Sequence, residues 1–372
     1  MRVYFEIGPL KESNYTGIAQ VTAAIADQLL GDASVNSHFF FGRMIVRKAV
    51  IEDLLKRRSG ELLEWYLQRA LPRTAPHEMT SANVAIFPNR KTCRRGFARE
   101  CQIVHDLSTL LTPQFHHQDT IDYHATTMEG DVTTNDITFC VSEATRRDVL
   151  AYFPQLTPDR VQTLHLAAAV GEAASAPLET VPVEPYILVL GTIEPRKNVS
   201  QVLGYIREHP GFAKQHRFVF LGRFGWGTSV QELLDHFQLG DTLASGRLVF
   251  PGFVSEQVKC QLIRHAELVI YPSLFEGFGL PLLEAAALGV PCVTTRSSSL
   301  PEVGGNVCYY FDPFTEGDFD RTLMKAILDL QVRREEIRRA CIAWAGNFSW
   351  EKTYARMMHG IRGLFAAEQR VS

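Results

Sequence analysis

The sequence predicts an α/β protein made of two doubly wound parallel sheets. Short apolar runs alternate with helical segments along the chain, the alternation starts afresh after a loose stretch near the middle, and the runs end in loops that hold glycine and charge. At 372 residues the chain is too long for one ordinary core, which again points to about two domains.

Composition narrows the function classes. Hydrophobic residues make up 46% and charged residues 21%, as in soluble globular proteins, and a net charge of −3 argues against a general nucleic-acid binder. The seven cysteines (93, 101, 140, 260, 292, 308, 341) form no C-x-x-C pair and imply thiols of a reducing compartment with no zinc site. No apolar leader follows Met1 and no run is long enough to span a bilayer, so a cytoplasmic address is expected.

The chain opens on a buried strand, Val3 to Ile7, then a polar loop, 8–17. A helix follows with Ile18, Val21, Ile25, Leu29 and Leu30 near helical spacing. Gly17, at the end of that loop, could admit a ligand to the helix start. Residues 43 to 99 hold 13 Lys and Arg against 5 Asp and Glu, a surplus of eight that the total hides. Between Ile51 and Leu71 a helical pattern mixes leucines, Trp65 and Tyr66 with those charges. Such a face could rest on an anionic membrane surface or hold an acceptor phosphate, although solvated helix surface is the commoner reading. The strand Cys101 to Ser108 ends in His105-Asp106, placed where ligands bind in parallel sheets. His116, His117 and His124, between Pro113 and Asp136, lack a metal-binding spacing and read as helix surface or acceptor loop.

A strand at Ile137 to Ser142 leads to a helix, Glu143 to Tyr152, with Ser142 as N-cap and an incomplete capping box, since Thr145 stands where Glu or Gln would complete it. After Val161 to Leu166, residues 167–185 are rich in small residues and proline, and read as the linker. The domains expected are 1–175, 183–350 and a final helix over 351–372.

The second half restarts with the strand Tyr186 to Gly191, the loop Thr192 to Asn198 with adjacent Arg196 and Lys197, and a helix from Val199. Two neighbouring cations at a strand end could receive a diphosphate. Strands at Arg217 to Leu221, Leu248 to Val254, Ala266 to Tyr271 and Pro291 to Thr295 follow, the first ending in a glycine-rich loop with Arg223. The stretch Tyr271 to Val290 joins a strand to a helix. Pro281 suits the first helical position and would place Glu284 in the first turn, while Glu276 lies in the loop before Gly277, Phe278, Gly279 and Leu280. Free amides and the positive helix end suit a phosphate, and the carboxylates suit hydroxyls. A sugar nucleotide carries both.

The motifs Gly191-Thr-Ile-Glu-Pro-Arg-Lys-Asn198, Pro272 to Glu284 and Ser298-Ser-Leu-Pro-Glu-Val-Gly304 together resemble the retaining nucleotide-sugar glycosyltransferases of the GT-B fold, in glycosyltransferase family 4. The likeness covers most of 183–350, and the first half matches in outline through Gly17, His105-Asp106 and Val141-Ser142. It implies two Rossmann-like domains facing a cleft, with the last helix, through Tyr354, Met357, Met358, Ile361 and Leu364, crossing back to the first. It also implies that Glu276 contacts the transferred sugar, Glu284 holds the ribose, Lys197 with Arg196 neutralises the diphosphate, and His105 meets the donor sugar. Amides of Gly277, Phe278 and Gly279 would cradle phosphate. Many relatives carry arginine where this chain has Thr192, so Arg196 or Arg223 would supply that charge.

The resemblance further implies a metal-independent reaction with no cofactor, a nucleotide-sugar donor with GDP-mannose as first choice and UDP-hexose next, and a polysaccharide or lipid-linked glycan acceptor in bacterial surface-polysaccharide synthesis. Peripheral contact at the inner face of the cell membrane through 43–99 is a further expectation. A sugar-nucleotide epimerase of the same fold and a non-catalytic binding protein are the alternatives. A pyridoxal-phosphate phosphorylase would need a lysine that nothing in the chain singles out.

Overall fold

The computed structural model describes residues 1–13, 15, 17–69, 83–168, 170, 185–223, 225, 227 and 229–368. The expected linker, 167–185, lies almost entirely outside them. The chain divides into one unit of Met1–Ala167 with Ser349–Ser372 and a second of Ala168–Phe348.

The first unit holds β1 (Arg2–Glu6), β2 (Asn36–Phe41), β3 (Met44–Val46), β4 (Asn83–Phe87), β5 (Arg99–Val104), β6 (Ile137–Cys140) and β7 (Val161–Thr163). They form one sheet in the order β3-β2-β1-β4-β5-β6-β7. All pairings are parallel except β2 with β3, so the expected parallel sheet carries an antiparallel edge. Strands β2, β3 and β4 are not among the elements expected above. Asn83 and Ser37 are buried in them, and polar residues at buried positions hide the apolar run that marks a strand.

The basic segment departs most from expectation. The single helix expected between Ile51 and Leu71 is two, Lys48–Arg57 and Glu61–Arg69, and residues 70–71 lie outside the described ones. Arg58 takes φ 50°, the Gly60 amide donates to the Glu12 carbonyl at 2.8 Å, and the Gly60 backbone presses on that of Lys11. Nor do all the charges face solvent. Lys91 is buried in an ion pair with Glu100 and donates to Thr134 at 2.9 Å and to the Asn135 side chain at 3.1 Å. Arg99 is buried with its guanidinium 4.0 Å over the Phe365 ring, whereas Arg94 binds Asp131 at 2.7 Å and is itself exposed. Arg43, Arg47, Lys48, Lys56, Arg57, Arg58, Arg69, Arg90 and Arg95 are exposed as well, and Arg69 lies 4.7 Å over the exposed Trp65 ring.

The last helix, Trp350–Glu368, belongs to the first unit. Its Met357, Met358 and Ile361 are buried, Tyr354 donates to Asp32 at 2.8 Å, and the Thr353 hydroxyl reaches the His165 carbonyl at 2.6 Å. As expected, Ser142 caps the helix Glu143–Tyr152, accepting from the Thr145 amide at 2.9 Å.

The second unit holds β8 (Tyr186–Leu190), β9 (Arg217–Leu221), β10 (Leu248–Gly252), β11 (Leu268–Tyr271), β12 (Cys292–Thr295) and β13 (Cys308–Phe311). Every pairing is parallel, in the order β10-β9-β8-β11-β12-β13. Tyr186-Ile-Leu-Val-Leu190 and Leu268-Val-Ile-Tyr271 are buried throughout, as central strands covered on both faces must be. In this order the chain winds one way from β8 through β9 to β10 and the other way from β11 onward. The reversal falls between β8 and β11, and in such sheets the crevice beyond the carboxyl ends at that point is the natural ligand site.

A Cβ at residue 60 would lie 2.2 Å from the Lys11 carbonyl oxygen. Gly60→Ala should therefore destabilise the first unit by about 1–3 kcal/mol, measured by urea unfolding, because two backbones must separate.

Candidate active site

Two loops meet at the reversal point. The one after β8 runs through a single 3-10 turn, Pro195–Lys197, into the helix Val199–Glu208, and the one after β11 leads to the helix Leu280–Ala287. Gly191 turns the first at φ 133°, and the Lys197 stem lies across it, its Cγ and Cδ 3.5 Å from where a Cβ would stand. The Leu274 amide donates to the Arg196 carbonyl at 2.9 Å and binds the loops backbone to backbone.

Glu276 is the centre of this junction. One of its carboxylate oxygens, Oε1, accepts from Lys197 Nζ, from Ser273 Oγ and, at 2.6 Å, from the Tyr271 hydroxyl, which in turn accepts from Lys197 at 2.9 Å. Its Oε2 faces Arg196 at 3.3 Å, and Arg196 also donates to the Phe275 carbonyl at 2.7 Å and to Glu194 at 3.1 Å. Glu276 is only 8% exposed. Burial pushes its pKa up, but Lys197 and Arg196, aided by the hydrogen bonds, outweigh that and hold it at about 2. The Tyr271 hydroxyl, buried beside that carboxylate, is pushed well above its ordinary value. A carboxylate so fully engaged is a weak base and a poor nucleophile. Its oxygens hold cations in place.

The turn after Glu276 is braced from β12 and the loop beyond it. Ser298 Oγ donates to the Glu276 carbonyl, and Ser299 Oγ stands 2.8 Å from the carbonyls of both Glu276 and Phe278. Thr294 and Thr295 hydroxyls reach the carbonyls of Tyr271 and Ser273. Gly279 caps the helix at φ 101°, with the Leu300 side chain where a Cβ would point. The helix begins at Leu280, with Pro281 second, so Glu284 falls in the second turn and not the first. There it is buried and paired with Lys259 at 3.0 Å, from the helix Glu256–His265. Burial pulls Lys259 down, but Glu284 and Glu256 raise its pKa above the ordinary lysine range.

The glycine-rich loop after β9 serves the loop after β8. Gly222 touches the Gly191 carbonyl so closely that a Cβ would come within 2.0 Å of it, and one at Gly225 would lie 2.8 Å from the Thr192 methyl. Ile193 and Gly225 complete the match, Ile193 N–H donating to the Arg223 carbonyl at 2.9 Å and Gly225 N–H to the Ile193 carbonyl at 3.1 Å. The Arg223 guanidinium stacks on Phe253 at 4.4 Å, whereas that of Arg196 is held at Glu276.

Arg196, Lys197 and Glu276 thus come together with the Gly277–Leu280 turn, while Gly17 and His105 belong to the first unit. Gly17 opens the helix Gly17–Gly31 at φ 42° with open space beside it. His105 follows β5, its Nε2 2.8 Å from the Pro88 carbonyl. A carbonyl only accepts, so Nε2 carries hydrogen and Nδ1 is the acceptor of the neutral ring. Burial lowers its pKa, against the Pro88 hydrogen bond and Asp106. Asp106 accepts from the Ser108 amide at 2.9 Å and the Ser108 hydroxyl at 2.6 Å. Tyr271, Ser273, Ser298, Ser299 and Lys259 are the residues bound to this junction that motif reading passed over. The first four lie in or beside quoted motifs, whereas Lys259 meets Glu284 only through the fold. Among the described residues no group of three or more His, Cys, Asp or Glu is placed to hold a metal, and no helix is long and apolar enough to cross a membrane.

The Glu276 carboxyl falls from an ordinary 4.5 to about 2 on folding, so its stabilising share is complete above about pH 5 and is lost as pH falls toward 2. Glu276→Gln should therefore be less stable than the parent at neutral pH by about 3 kcal/mol, since Lys197 and Arg196 lose their counter-charge. The gap should close steadily below pH 4.5 in urea unfolding measured at successive pH values.

Residues 172–342 match the family described as Glycosyl transferases group 1. O-antigen chain mannosyltransferase B of Escherichia coli is 29% identical over 269 residues, 70% of this chain and 69% of that protein. Serotype-specific mannosyltransferase WbdA of Escherichia coli is 29% identical over 248 residues, 63% of this chain but only 29% of WbdA. Among solved structures, sucrose-phosphate synthase from Thermosynechococcus elongatus superposes with a TM-score of 0.66 at 14% identity, covering 98% of this chain and 99% of that one, a likeness of fold. With two Rossmann-like units and a group 1 glycosyl transferase domain over 172–342, the chain is a glycosyltransferase of the GT-B fold.

Proposed function

We propose that this glycosyltransferase moves a hexose, first of all mannose from GDP-mannose, onto a polysaccharide or lipid-linked glycan during bacterial surface-polysaccharide synthesis, with retention at the anomeric carbon. The single observation that carries the chemistry is the cation pair, Lys197 and Arg196, held by Glu276 at the reversal point of the second sheet. The mannose choice and the pathway rest on the two Escherichia coli mannosyltransferases, so UDP-hexose is the next donor to test.

In this reading the bond from the anomeric carbon to the phosphate oxygen breaks, and its electron pair stays on that oxygen. Lys197 and Arg196, with the positive end of the helix Leu280–Ala287 and amides of Gly277, Phe278, Gly279 and Leu280, stabilise the charge that develops there. The acceptor hydroxyl bonds to the carbon on the same face and passes its proton to the departing phosphate oxygen. Glu276 positions the cations and the sugar. It does not form a glycosyl-enzyme, a step that needs an unencumbered carboxylate and a second one close by. Glu284 holds the ribose, His105 accepts from a donor-sugar hydroxyl through Nδ1, and Gly17 gives room at the start of its helix. Thr192 shapes the loop, and Arg223 lies ready beside it. The protein's own cations supply the positive charge, so turnover is expected to continue in excess EDTA. Exposed Trp65 and the basic residues 43–69 are the surface we assign to anionic lipid.

A panel of nucleotide sugars tests the reading: hydrolysis or transfer of GDP-mannose supports it, whereas interconversion of the donor favours an epimerase. Lys197→Ala should lower kcat by about 100-fold or more with the fold intact by circular dichroism, and near-normal turnover would show the leaving group to be held elsewhere.

A further inference from the structure

The helix Asp318–Ala345 belongs to the second unit, and its Phe319, Leu323, Ala326 and Leu330 are buried in the core of that unit. Its opposite side carries a row of apolar residues, Met324 37% exposed, Leu328 56% and Val332 83%. By the helical repeat Met324 and Val332 stand within about 40° of Leu328, and the four buried residues within about 40° of the far side. The three exposed residues therefore form one seam and are not scattered singly. Exposed Arg321 extends it at one end and exposed Glu335 at the other. We propose that two copies of the chain associate along this seam, their helices antiparallel about a two-fold axis at Leu328.

Charge and spacing select a second copy as the occupant. An axis at Leu328 sets each residue against the one equally far on the other side of position 328 in the partner. Leu328 then meets the partner's Leu328, Met324 the partner's Val332, Lys325 the partner's Gln331, and Arg321 the partner's Glu335, each unlike pair occurring twice. A parallel pair would set arginine on arginine at 321 and glutamate on glutamate at 335, so charge favours the antiparallel one. Glu335 forms no ion pair among the described residues, whereas Asp329, beside the seam, is already held by Lys325 at 2.7 Å and Arg333 at 3.4 Å. Arg333, at φ −127° and ψ 28°, bends the helix, so the straight part of the seam ends at Val332 and Glu335 stands in the turn beyond. A seam this short belongs with the small interfaces, below about 1,200 Å² in total, and implies association of about micromolar strength.

Sedimentation velocity of the full chain between about 1 and about 200 µM is the test, and the parent should pass from monomer to dimer across that range. Leu328→Asp should stay monomeric throughout, with the circular dichroism and urea midpoint of the parent, because the side chain is outside the core. Arg321→Glu and Glu335→Arg should each weaken association by about tenfold, since each sets like charges together, and an equimolar mixture of the two should restore it, since every cross pair is then of opposite sign. A parent that stays monomeric overturns the proposal, and weaker binding of Leu328→Asp to phosphatidylglycerol vesicles would then assign the seam to lipid. A dimer that folded Leu328→Asp retains overturns it too, as does a mixture that associates no better than either single variant.

Discussion

The second unit depends on one buried carboxylate that pairs with two cations from another loop. Glu276 follows β11, Lys197 and Arg196 follow β8, and these strands are neighbours in the sheet although about 80 residues separate them in the chain. Taking three charges out of water is costly, and an ion pair recovers that cost only when hydrogen bonds satisfy what remains of each group. Here Tyr271, Ser273, Glu194 and the Phe275 carbonyl do so. The constellation is thereby a fixed object, and the glycine turn and helix that follow Glu276 inherit its position.

The same sheet order explains why two carboxylates eight residues apart have different partners. Glu276 sits in a loop and faces the end of β8, whereas Glu284 sits one helical turn further in and faces the neighbouring helix through Lys259. Each is balanced by protein cations, so in the proposed reaction a donor would compete with protein carboxylates for those cations. In the proposed reaction such preorganisation would keep charges aimed where charge develops, with little reorganisation at the moment of bond breaking.

Much of this was legible in the chain. Unbroken apolar runs such as Tyr186 to Leu190 and Leu268 to Tyr271 announce buried parallel strands, and the pairing of Arg196-Lys197 with Glu276 follows once both runs are placed in one sheet. What could not be read depends on contacts distant in sequence. Lys259 carries no local mark of its partnership with Glu284. Gly60 looks like an ordinary residue of a helical pattern until the Lys11 backbone is found against it, and Lys91 looks like a surface charge until Glu100 is found beside it. Glu284 moves by one residue, from the first turn into the second, because proline is tolerated at either of the first two helical positions, and Gly279, which sets the cap, is read only from its φ.

The contact between Gly191 and Gly222 has a consequence for how such a protein can change. A Cβ on Gly222 would strike the Gly191 carbonyl, Gly191 itself needs a φ of 133°, and Ile193, Arg223 and Gly225 tie the loops after β8 and β9 further through the backbone. A change of backbone in one loop therefore demands a matching change in the other. A loop transplanted from a relative to alter donor preference would meet a neighbour shaped for a different backbone, and the gain it brings would be masked until its companion is exchanged as well.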